Sequence, residues 1–129
     1  MATASKGITP AQLKKLCGHW PGVTQDIKWG ADLVMSVGGK MFAVMPTDGG
    51  RISFKVEDER FLELSDQLGM IAAPYLARAR LVSVVEPKRF STAELSELIR
   101  TAYGLIRAKL TKKLQAELGE WPPSKERKQ

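Results

Sequence analysis

The stretch 33-LVMSVGGKMFAVM-45 places Gly38, Gly39 and Lys40 between two apolar runs of strand length. A glycine pair followed by lysine has two readings. It can belong to a phosphate-cradling loop, or it can turn a β-hairpin. The phosphate loop requires a longer glycine-rich run, then Lys-Ser/Thr, then a helix. Here Lys40 is followed by Met41, the first of five apolar residues in a row. The hairpin reading therefore holds, because Gly-Gly supplies the positive φ angles that a two-residue turn demands. A turn of that length pairs Val37 with Lys40, Met35 with Phe42 and Leu33 with Val44 on one face. Val34, Ser36, Met41, Ala43 and Met45 then share the other.

Working outward, Thr9, Pro10 and Gln12 signal the start of a helix whose apolar stripe is Leu13, Leu16 and Cys17, with "WPG" at 20–22 as its end. Gln25 to Lys28 reads as a short strand. After the turn "PTDGG" (46–50), Arg51 to Val56 alternates cleanly. Ile52, Phe54 and Val56 point one way and Arg51, Ser53 and Lys55 the other, as in a strand with one wet face. "EDERFLELSDQLG" (57–69) reads as a short helix with Phe61, Leu64 and Leu68 inward and Gly69 as its stop. Pro74 interrupts regular pairing, and "RLVSVVEP" (80–87) reads as a further strand. Ser91 and Glu94 form a capping box for the longest helix. Its stripe runs through Leu95, Leu98, Ile99, Ala102, Leu105, Ile106, Leu110, Leu114 and Leu118. The order of elements predicts an α+β domain, two-layered, with helices on one face of a twisted antiparallel sheet. The expected organisation is a flexible N-terminus at 1–8, a single domain at 9–118 and a disordered basic tail at 119–129.

With 129 residues, 43% of them apolar, the chain can bury a core without disulfide or metal. A single cysteine excludes an internal disulfide framework. No apolar run approaches membrane-spanning length and no secretory signal is visible, so a cytoplasmic location without membrane contact is expected. The net charge is +6 and unevenly spread. Residues 1–106 carry a balance of +2 and residues 107–129 one of +4. A basic end favours anionic partners such as nucleic acid, and it also suits a helix C-terminus.

Catalytic chemistry has little support. The lone histidine, His19, adjoins "WPG", and no nucleophile elbow accompanies it. The densest acidic group, Glu57, Asp58 and Glu59 with Glu63, is fanned around a helix start and fits the dipole better than a metal. No cofactor, no metal and no enzymatic activity are expected.

A set of motifs in register carries a resemblance: "PGVT" (21–24), "WG" (29–30), "GGKMFA" (38–43), Lys55, "APYL" (73–76) and "AYGLIRAKLTKKLQAEL" (102–118). With these, the chain resembles the MmcQ/YjbR-like family of small bacterial proteins over roughly residues 10–118. The resemblance implies a frataxin (CyaY)-like and secretion-chaperone-like fold and a DNA-binding description tied to a "double wing" surface. Two departures stand out. Leu81 stands where many members have an aromatic residue, and Thr111 where many have proline, so the last helix either runs through or restarts with Thr111 as its cap. Iron binding, known on the acidic helix of frataxins, is not expected where the first helix carries Lys14 and Lys15.

The expected DNA contacts are phosphate contacts by Lys40, Arg51, Lys55, Arg78, Arg80, Lys109, Lys112 and Lys113, with Trp29 and Tyr75 as candidates for base stacking. No recognition helix of known type is visible. The alternative is a small adaptor or dimerising module that docks another protein, or a second copy of itself, on an apolar sheet face left open by the first hairpin. Trp121, before two prolines in the tail, is a further docking candidate.

Overall fold

The computed structural model describes residues 6–73 and 80–119. Helix α1 (Pro10–Cys17) is followed by strands β1 (Val23–Lys28), β2 (Asp32–Val37), β3 (Lys40–Pro46) and β4 (Ile52–Lys55). Helix α2 (Asp58–Ser65), strands β5 (Met70–Ala72) and β6 (Leu81–Val84), a 3-10 turn (Pro87–Arg89), helix α3 (Thr92–Arg107) and helix α4 (Lys112–Leu118) follow among the described residues. The strands form one antiparallel sheet in the order β1-β2-β3-β4-β6-β5. The α+β class expected above is the class observed.

Local chemistry accounts for the helix starts. Thr9 and Gln12 satisfy each other's backbone donors ahead of α1, and Ser91 and Glu94 do the same ahead of α3. Each such cap contributes about 1 kcal/mol. The last apolar stripe is not one helix. It breaks after Arg107, and the Thr111 hydroxyl accepts from the Leu114 amide to start α4. Of the two outcomes open at Thr111, the restart is the one found. In α2 the inward set is smaller than its spacing suggests. Leu64 is buried, whereas Leu68 lies beyond the helix end and is exposed.

The hairpin at Gly38-Gly39 forms, and Val37 pairs with Lys40 as expected. Its register then departs from the expected one. Ser36 pairs with Met41 but Met35 pairs with Ala43, which leaves Phe42 as an extra residue in β3. This is a β-bulge, two residues on one strand against one on the other. Beyond it Val34 faces Val44 and Leu33 faces Met45. The physical reason lies in packing. Phe42 and Ala43 are both fully buried in the main core, a placement strict alternation forbids.

That core lies between the sheet and its helices. Leu33, Met35, Val37, Phe42, Ile52, Phe54, Val82 and Val84 from the sheet meet Leu13, Cys17, Leu64, Leu95, Ile99, Tyr103 and Ile106 from α1, α2 and α3. Trp20, Phe42 and Tyr103 pack ring against ring, with centroids 5.1 to 6.4 Å apart. Ile8 joins the same core, and the Gly7 amide donates to the Phe90 carbonyl.

Cys17 is the buried apolar residue expected. Its thiol donates to the Leu13 carbonyl at 3.2 Å, and burial pushes its pKa from 9.0 up to about 12. In the unfolded chain the thiol ionises near 9, so this contribution to stability is present below pH 9. It is lost as pH rises through about 12. At pH 8 the native protein is expected to leave Ellman's reagent unreacted until denaturant is added. Prompt reaction of the native protein would contradict the burial.

The sheet's other face corrects a further expectation. The alternation of Arg51, Ser53 and Lys55 does not mark a wet face. Ser53 and Ser83 are buried with hydroxyl oxygens 2.6 Å apart, and Lys55 is only 7% exposed. Arg51 is exposed, but it precedes β4. β4 is a central strand flanked by β3 and β6, so its polar side chains are crowded by neighbours that alternation in one strand cannot reveal. The second face of the first hairpin is buried as well, with Val34 1% and Val44 8% exposed. An open apolar face is therefore not found there.

Candidate nucleic-acid interface

The pairing registers sort the candidate residues between two ends of the sheet. Gly38 and Gly39 turn the chain at one end. Lys40 begins β3 there, and Lys55 ends β4 opposite Leu81, with Arg80 directly before it. Gly38 holds the C-terminal segment against this end. Its φ is +59°, and a Cβ there would stand 2.7 Å from Leu110 and 3.1 Å from Leu114, so any other residue would be strained and would push the leucine side chains aside. This contact brings the turn carrying Lys109 and the helix α4, with Lys112 and Lys113, to the same end as Lys40. All of these lysines except Lys55 are exposed.

Lys55 is the electrostatic centre of the group. Burial pushes its pKa below the usual lysine range, and the nearby Lys109 charge pushes it the same way. Asp58 pulls it partly back, and Arg80 adds a further positive charge. Asp58 also contacts Arg80 at 3.6 Å, and the Arg80 guanidinium lies 5.2 Å from the centre of the Phe61 ring. That exposed pair is worth little energetically, but together the contacts set where the guanidinium points.

A second network, which the sequence reading missed, fixes α3 to the chain on either side. The Tyr103 hydroxyl donates to the Pro21 carbonyl at 2.6 Å, and Arg107 donates to the Tyr103 oxygen at 3.0 Å. Arg107 is buried and donates through its other terminal nitrogen to the Gly119 carbonyl just past α4. The available signal was the i, i+4 spacing of Tyr103 and Arg107. An arginine in the last turn of a helix otherwise reads as solvated. "PG" and "AYGLIR" are thus parts of one buttress: Gly22 packs against Leu118, and Pro21 accepts the tyrosine proton.

The remaining candidates are not in this group. Arg51 and Trp29 lie at the opposite end of the sheet, in the turns that follow β3 and β1. Trp29 is 68% exposed and takes a left-handed φ of 51°. Tyr75, Arg78 and Trp121 lie outside the described residues. That opposite end also holds a cleft of about 720 Å³, walled by Ile8, Pro10, Gly49 and Pro87 among others. Its charges are mixed, and Arg89 there is already paired with Glu86. Among the described residues no group of three or more His, Cys, Asp or Glu is placed to hold a metal ion. No helix among them is long and apolar enough to cross a membrane.

The hairpin and Tyr103 lie within a stretch that matches a family model. The YjbR family model matches residues 19–105, more than half of the chain. The chain belongs to the YjbR family. Among solved structures, this YjbR protein is similar to the Deinococcus radiodurans protein DR2400, described by the domain DUF419. The identity is 27% over 92% of each chain, with a TM-score of 0.78. It also shares its fold with a Pseudomonas syringae protein at 16% identity and a TM-score of 0.63, over 77% of this chain and 99% of that one. No curated protein matches it.

Proposed function

We propose that this YjbR protein is a non-enzymatic, cytoplasmic nucleic-acid-binding protein that grips the phosphate backbone with weak sequence preference. The observation that carries the reading is the convergence of Lys55, Lys109 and Arg80, from three separate parts of the chain, beside Asp58. Gathering like charges around a buried ammonium costs stability, and an anion placed among them offsets that cost. Lys40, Lys112 and Lys113 extend the same end, which gives a run of phosphates several cations to meet. Base reading is not part of the proposal, since Trp29 stands at the far end of the sheet. The burial of Val34 and Val44 gives less support to the competing reading, an adaptor or dimerising module docking on an apolar face of the first hairpin.

Binding to duplex and single-stranded DNA across a salt series tests this. Six cations meeting phosphates predict that log K falls linearly with log salt, with a slope of up to about five in magnitude. Binding that is absent at low salt, or no tighter than binding to heparin, would sink the proposal.

A further inference from the structure

Strand β1 is an open edge. It ends the sheet, and five of its six residues are exposed. Natural edge strands are usually blunted by proline, a bulge or a covering segment. β1 has none of these in its described surroundings, for Val23 to Lys28 pair with β2 without a register shift and the strand contains neither Pro nor Gly; charge, the other usual protection, is present only as Asp26 and Lys28, of opposite sign. It also displays apolar surface. Ile27 is 57% exposed, although its partner Leu33 lies in the core. The opposite edge, β5, is only three residues long.

The order of side chains along β1 points to the occupant. When two copies of one strand pair antiparallel about a twofold axis normal to the sheet, only residues on the same face meet. The register is then centred on a single residue. Centred on Asp26, the pairing sets that carboxylate against its own copy. Centred on Gln25, it sets Asp26 against Thr24. Centred on Ile27, it sets Asp26 of each copy against Lys28 of the other, and Ile27 against Ile27. This last register places opposite charges directly across the ladder twice and covers the exposed isoleucine. Both pairings stabilise a sheet. We propose that β1 is a dimerisation edge, through which a second copy of this chain pairs antiparallel with the axis at Ile27 to join two six-stranded sheets into one.

Sedimentation equilibrium of the full chain over a wide concentration range tests this. A monomer–dimer equilibrium is expected. Asp26→Lys alone and Lys28→Asp alone each oppose like charges twice, and each is expected to weaken the dimer by about tenfold or more. The double variant, Asp26→Lys with Lys28→Asp, restores the pairing and is expected to recover most of the affinity. Both positions are exposed, and thermal unfolding in parallel separates lost association from lost fold. A monomer at every concentration overturns the proposal. So does a dimer that ignores the single variants, or one that the double variant fails to rescue. None of these outcomes bears on DNA affinity at the other elements, so the two proposals fail separately.

Discussion

Replacing Phe42 with alanine is expected to cost about 3–5 kcal/mol of unfolding free energy. The ring is fully buried and packs against both Trp20 and Tyr103, edge-on to the latter at 78°. It is also the extra residue of the β3 bulge. Its neighbour in the core is Ala43, too small to swing into the space left behind, so the cavity cannot collapse cheaply. Against a typical total of about 5–15 kcal/mol, the loss would leave a measurable unfolded fraction near physiological temperature. Urea denaturation reads the effect as a lower midpoint with unchanged slope. A change below about 1 kcal/mol, the size of an ordinary surface effect, would mean that the ring is not where the structure places it.

Reversing three charges together, Lys109→Glu, Lys112→Glu and Lys113→Glu, is expected to weaken DNA binding by about a hundredfold or more at low salt. Three phosphate contacts are lost and three repulsions take their place. The salt slope should fall in magnitude by roughly three, because each contact releases close to one counterion. The fold should be unaffected within about 0.5 kcal/mol, since all three side chains are exposed. The Lys109→Glu change would even supply Lys55 with a counter-charge in place of a like one. Unchanged affinity in a folded triple variant would remove the turn after α3 and helix α4 from the interface.

What could be read from the chain was local. Thr9, Ser91 and Thr111 act as caps because capping needs only residues three apart, and Gly-Gly turns the hairpin because the turn needs only two. The bulge at Phe42 was not legible. Every residue from Met41 to Met45 is apolar, so the run holds no polar position to show the change of phase. Lys55 misled for a different reason: alternation tells which side chains share a face, but not what other parts of the chain, such as Lys109 and Arg80, are brought beside it. Arg107 was passed over because its partners, Tyr103 and the Gly119 carbonyl, matter only once α4 folds back. The candidate site was half legible. The basic residue types were evident, but their division between two ends of the sheet is set by strand pairing alone.

The Arg107 buttress has a consequence for how the protein opens. Helix α4 is seven residues long and has no fully buried side chain, and a helix that short is not stable by itself in water. It is held by the Gly119 contact and by Leu110, Leu114 and Leu118 resting on two glycine turns. Local opening of α4 is therefore expected to cost less than global unfolding. The segment that carries Lys112 and Lys113 is thus one that can detach without unfolding the rest. A polyanion bound as proposed would act as a fastener on it, with part of the binding free energy going into keeping the helix docked.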